Sequence, residues 1–156
     1  MRTLHCVAAL AVACATRWAL AADLGAFAGD WVIRGSVVAP WADPKFAPGD
    51  VEAKRLAGKS VVFGSRRVTG PSPIGCTGPA YKVEEVGPDM LFEGELSESR
   101  DGRPADALRA ATSLGFTRPQ RIATLDAGCT EVQFHEMRPG VVAFGLNNRV
   151  YTMVRR

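Results

Sequence analysis

A chain of 156 residues, 47% hydrophobic and 22% charged, is long enough for one packed domain and too apolar to be disordered. Its formal charge is only +3, with no Lys/Arg cluster beyond local pairs, which excludes electrostatic binding to nucleic acid or to an anionic membrane as the basis of its function. Gly 16 and Pro 10 predict many turns.

The first segment has the layout of a signal peptide. Arg2 supplies a short positive region, Cys6 to Ala15 is an unbroken apolar run, and Ala19 and Ala21 carry the small-residue spacing that signal peptidase reads. Residues 1–21 are therefore predicted to be cut after Ala21, leaving 22–156 as a periplasmic or secreted β-barrel-like domain. The apolar run is far shorter than the ~20 residues that span a bilayer. Lipidation at Cys14 is the alternative processing, although Ala11-Val12-Ala13 ahead of it lacks the usual leucine. Loss of Arg2 and Arg17 with the leader lowers the formal charge from +3 to +1.

The remainder reads as short strands separated by turn residues. Trp31–Val38 is β-branched and interrupted by Gly35, which predicts a bulge or bend. Ala39–Asp50 carries three prolines and is expected to be a loop, Val51–Gly58 a short helix, and Lys59–Thr69 a second strand. Gly70–Pro79 is a long turn region. Ala80–Val86 and Met90–Leu96 are expected to pair as a hairpin, the second with Met90, Phe92 and Leu96 on one face. Pro104–Leu114 is an amphipathic helix stopped by Gly115, with Ala107, Leu108, Ala111 and Leu114 on its docking face. Arg121–Leu125 and Thr130–Met137 are strands, with Val132 and Phe134 inward. Val141–Arg156 is a hairpin turned at Asn147-Asn148, which tolerate the positive φ of a tight turn.

Two of the four cysteines leave with the leader. The remaining pair, Cys76 and Cys129, is predicted to form one disulfide closing a loop of roughly 54 residues. The fold class is therefore mainly β: an antiparallel barrel or strongly coiled sheet of about seven to eight strands, one helix over about 104–114 and one disulfide. Val141–Phe144 is apolar on both faces, and so are Val150, Tyr151, Met153 and Val154. One face is expected to fill the interior, the other to lie under the helix or the proline-rich loop.

Gly29-Asp30-Trp31 opens the first strand, and Arg155 stands near the end of the last. This pairing resembles the lipocalin and wider calycin pattern, in which a tryptophan lies across the closed barrel end and a basic residue of the last strand covers its indole. The resemblance implies that Trp31 plugs the barrel and that Arg155 packs over it. The alternative is a plain core aromatic. The helix, which follows the last strand in a lipocalin, here precedes the last three strands.

Catalytic and metal-binding chemistry is not expected. Outside the leader there is one histidine, His135; alternation sets it with Gln133 opposite Val132 and Phe134, so it is expected to face solvent. No second histidine exists to share a metal site with it, and Ser60, Ser65 and Ser72 lie in no nucleophile-elbow setting. Glu84, Glu85, Glu93 and Glu95 could be read as paired carboxylates, but alternating carboxylates on strands more often form a solvated face that keeps sheets from associating. The expected function is a non-catalytic binding protein without cofactor or metal. In the lipocalin-like version it holds a small apolar molecule. In the alternative it binds an envelope protein, as an inhibitor of a lytic enzyme or an assembly factor, through a loop that exposes Trp41 and Phe46. Those two aromatics could instead fold back to cap the core.

Overall fold

The computed structural model describes residues 24–43, 45, 48–98 and 106–156. Residues 1–21, expected to be a leader and including Cys14, lie outside the described residues, as do Phe46 and Pro104.

Among the described residues, nine strands form one antiparallel sheet: β1 (Asp30–Val38), β2 (Ser60–Phe63), β3 (Arg67–Thr69), β4 (Cys76–Thr77), β5 (Lys82–Val86), β6 (Ile122–Asp126), β7 (Phe134–Arg138), β8 (Val141–Leu146) and β9 (Arg149–Arg155). Their order is β4-β3-β2-β1-β9-β8-β7-β6-β5. This is the order of an up-and-down meander whose first and last strands pair and whose seam falls between β4 and β5. The sheet curls strongly into a half-barrel. The disulfide spans the seam side: Cys76 in β4 is bonded to Cys129, just beyond β6, with Cα atoms 5.8 Å apart. The Tyr81 hydroxyl, just ahead of β5, donates to Gly64 O in the β2–β3 turn (2.9 Å).

The strand count exceeds the expected seven to eight for local reasons. Gly64-Ser65-Arg66 folds the expected strand Lys59–Thr69 back on itself, with Gly64 N–H bonded to Arg67 O (3.0 Å). Cys76–Thr77, expected to be turn, pairs with Arg67 and Val68. Met90–Leu96, expected to be a strand, is instead part of a run of 3-10 turns over Pro88–Ser97, with left-handed φ at Phe92 (52°), Glu93 (62°) and Gly94 (88°). The buried residues there are Leu91, Phe92 and Leu96, while Met90 is exposed, so a two-residue period misassigned the face. Other expectations hold. A β-bulge falls between Ile33 and Gly35, and Asn147 and Asn148 (φ 48° and 60°) make the two-residue turn from β8 to β9.

Helix α1 (Val51–Leu56) buries Leu56. Helix α2 (Ala107–Leu114) begins where the Asp106 carboxylate accepts from Arg109 N–H (2.9 Å), and ends at left-handed Gly115. Its docking side is Ala107, Ala110, Ala111 and Leu114; Leu108, expected on that side, is exposed.

Both faces of the sheet are covered. The concave face carries Trp31, Ile33, Val61, Phe63, Leu125, Phe134, Val142, Phe144, Tyr151 and Met153, and Phe27, Leu56 and Ile74 join the same cluster. The convex face carries Ile122, Met137, Ala143 and Val150 beneath α2, the Pro88–Ser97 segment and Trp41. Two-sided burial explains why Val141–Phe144 of β8 and Val150, Tyr151, Met153 and Val154 of β9 are apolar.

Candidate functional site

The concave interior is filled with rings. Phe63 meets Phe134 edge-on with centroids 4.8 Å apart, Phe134 contacts Phe144 at 5.8 Å, and Phe144 stacks on Tyr151 at 5.1 Å and 8°. At one end Trp31 is fully buried and donates its indole N–H to Phe27 O (2.9 Å). The Arg155 guanidinium lies 5.0 Å from the centre of that indole and donates to Ala26 O (2.6 Å). Gly29 (φ 108°) is the left-handed residue that turns the chain from Ala28 into β1, and no atom stands within 4 Å of where its Cβ would be.

The outer face holds a histidine that the sequence reading set in solvent. Alternation correctly placed His135 opposite Phe134. That face is covered, however, and His135 is fully buried. Phe92 N–H donates to His135 Nε2 (3.2 Å), so the ring proton sits on Nδ1, which lies 2.9 Å from Thr124 Oγ1; the Thr124 hydroxyl in turn reaches Ile122 O (3.4 Å). The Phe92 ring closes over the imidazole at 4.8 Å, edge to face. Burial without a compensating charge drives the His135 pKa from 6.5 down to about 3. The imidazole is thus a neutral structural group sealed from solvent. A signal for this was present: Met137, two residues on, and Ala143 and Val150 give that face an apolar character.

Trp41 is buried as well, at 7% exposure, and does not serve as an exposed anchor. Its ring lies 5.0 Å from that of Phe92. The close approach depends on Gly145 in β8, where a Cβ would stand 3.2 Å from Phe92 Cδ1 and 3.5 Å from Trp41 Cζ2. Trp41, Phe92 and Gly145 line an open cleft of about 350 Å³, walled by Glu93 and Glu95 on one side and by Glu131, Gln133 and the Asn147-Asn148 turn on the other. A second open cleft of about 470 Å³ flanks the same turn and is lined by Val51, Glu52 and Arg149 among others. Asn147 Nδ2 donates to Glu52 Oε2 (2.9 Å), tying the turn to α1. The Arg149 guanidinium is bonded to Ser36 Oγ and Asp50 Oδ1 (3.0 and 3.1 Å).

The four glutamates of the hairpin reading are not brought together on paired strands. On β5, Glu84 bonds Lys82 (2.7 Å) and Glu85 bonds Arg121, just ahead of β6, whereas Glu93 and Glu95 stand at the cleft. Among the described residues, no group of three or more His, Cys, Asp or Glu side chains is placed to hold a metal ion, and no helix is long and apolar enough to cross a membrane.

Fold and site together define a disulfide-stapled antiparallel half-barrel with a ring-filled interior and an acidic, amide-rimmed surface cleft. No protein-family model, curated protein or solved structure matches the chain.

Proposed function

We propose that the chain is an exported, non-catalytic binding protein that engages a protein partner at the cleft beside Asn147-Asn148. The single observation that carries this reading is the division of labour between interior and surface. Aromatic rings occupy the concave space that a lipocalin-like carrier keeps open for a small apolar molecule, and the room for a ligand lies outside, in the cleft of about 350 Å³. Glu93, Glu131, Gln133 and the asparagine amides offer acceptors and donors to a basic or hydrogen-bonding segment inserted over the Trp41–Phe92 floor. An inhibitor of a lytic enzyme and a cell-envelope assembly factor both fit this description. The disulfide Cys76–Cys129 supports an oxidising compartment, and the sealed state of His135 supports a binding rather than a catalytic role.

The test compares immobilised wild-type protein with Glu131→Lys/Gln133→Lys in envelope extract. Wild type is expected to retain a partner that the variant loses at equal thermal stability. Equal retention by both, or an apolar compound seen by native mass spectrometry in the wild-type protein, overturns the reading.

A further inference from the structure

We infer that His135 is the catch of an acid-operated latch on this cleft: protonation of its ring breaks the bond from Phe92 N–H and releases the Pro88–Ser97 segment that forms one wall. The inference rests on the reading of the cleft as the binding surface and supplies its regulation. Nδ1 faces Thr124 Oγ1, so the only ring position open to a second proton is Nε2, which already accepts from Phe92 N–H. A proton placed there sets donor against donor inside a buried pocket. Among the described residues, no charged group acts on the ring to offset the new charge. From β6 it is faced by Thr124 and from β8 by Ala143, and from the covering segment by the Phe92 ring. The side of α2 turned to this cluster is Ala107, Ala110, Ala111 and Leu114. Glu136 shares a register position with Val142 of the concave cluster and so belongs to the opposite face. Glu93, next to Phe92, is exposed at the cleft.

The segment held by this bond is poised to leave. Phe92 and Glu93 sit at φ 52° and 62°, a region that L residues with a Cβ adopt at a steric disadvantage. Among the described residues, Phe92 N–H is the one backbone group of the segment that bonds to a strand side chain. When it lets go, Phe92 leaves the cleft floor and Leu91 and Leu96 are uncovered. The cleft walled by Glu93 and Glu95 is therefore the form of the protein near neutral pH, and acid replaces it with an apolar surface.

Amide hydrogen exchange of the full chain, followed by NMR and corrected for the intrinsic pH dependence of exchange, tests the latch. Opening that takes up one proton changes tenfold per pH unit. The Phe92 protection factor is expected to fall about tenfold per unit as pH drops below about 6 and to stay well below that of Val142 in β8, which opens only with the whole fold; equal protection at the two amides would mean that Phe92 has no local opening and overturns the latch. His135→Gln, whose amide can accept from Phe92 N–H but does not titrate, is expected to remove the fall while leaving every carboxylate in place. Level Phe92 protection down to pH ~3.5, or an equal fall in His135→Gln, overturns the inference. If that variant does not fold, ¹⁵N titration of the wild-type ring decides: protonation of Nε2 must coincide with Phe92 exchange, and protonation without it overturns the latch. None of these readouts needs a partner, so failure of the cleft to bind one leaves them intact.

Discussion

Arg155 lies over the indole of Trp31, 5.0 Å from its centre, and the two residues are also directly paired across β1 and β9. The contact closes the sheet at the point where the first strand meets the last. The guanidinium covers a ring that is otherwise buried in the apolar cluster of the concave face, with its N–H bonded to Phe27 O. Trp31→Ala is expected to cost about 3–5 kcal/mol and Arg155→Ala less, with a coupling of about 0.5–2 kcal/mol. Urea unfolding of both single variants and the double variant measures this. Strictly additive losses would mean that the stacked pair contributes nothing beyond its separate members.

Disulfide closure of the seam carries a second expectation. Cys76 and Cys129 are separated by 53 positions in the chain, and a loop of that size restricts the unfolded chain by about 4 kcal/mol in the loop-entropy account. Cys76→Ala/Cys129→Ala is expected to lower unfolding free energy by about 2–5 kcal/mol. Reduction of the wild-type protein should add two hydrogens to its mass. Unchanged mass on reduction contradicts the bridge.

His135 gives stability a defined dependence on pH. Its folded pKa, about 3, lies below the ordinary 6.5, so the unfolded chain binds the extra proton first. The stabilisation is fully present above 6.5 and is lost as pH falls toward about 3, at roughly 1.4 kcal/mol per pH unit. Urea midpoints of wild type and His135→Gln measured at several pH values between these limits test it. The wild type should show the steeper decline, and parallel curves refute the assignment.

The Tyr151 hydroxyl is buried and has no hydrogen-bond partner among the described residues, while its ring stacks on Phe144. Burial raises its pKa, followed by the charge of the Glu52 carboxylate, which lies close by but outside hydrogen-bond geometry. Tyr151→Phe keeps the ring and removes an unpaired polar group, so thermal stability is expected to stay level or rise. A loss above about 1 kcal/mol would show that the hydroxyl is bonded after all.

The sequence revealed those features that depend on local chemistry. Gly35 marks the bulge, Asn147-Asn148 the tight turn and Gly115 the helix stop, because each supplies a backbone conformation that other residues resist. Cys76 and Cys129, the two thiols outside the expected leader, were paired by elimination, and they are bonded. What was not legible depends on a third layer. Alternation assigned His135 to the correct side of β7, but only the Pro88–Ser97 segment turns that side into an interior. Tertiary packing holds that segment in left-handed turns against a sequence that reads as a strand. Trp41 follows the same logic: it is a loop aromatic drawn onto the outer face by the space over Gly145. The cleft is assembled from four separate stretches of chain and has no local pattern.

The most direct measurement is site-specific photocrosslinking in intact cells that produce the protein. A photoreactive phenylalanine analogue replaces exposed Glu131 at the cleft in one variant and exposed Arg118, away from it, in another. The account predicts a discrete protein adduct from position 131 and none from position 118. Adducts of equal yield from both positions, or from 118 alone, would contradict a binding surface at the cleft.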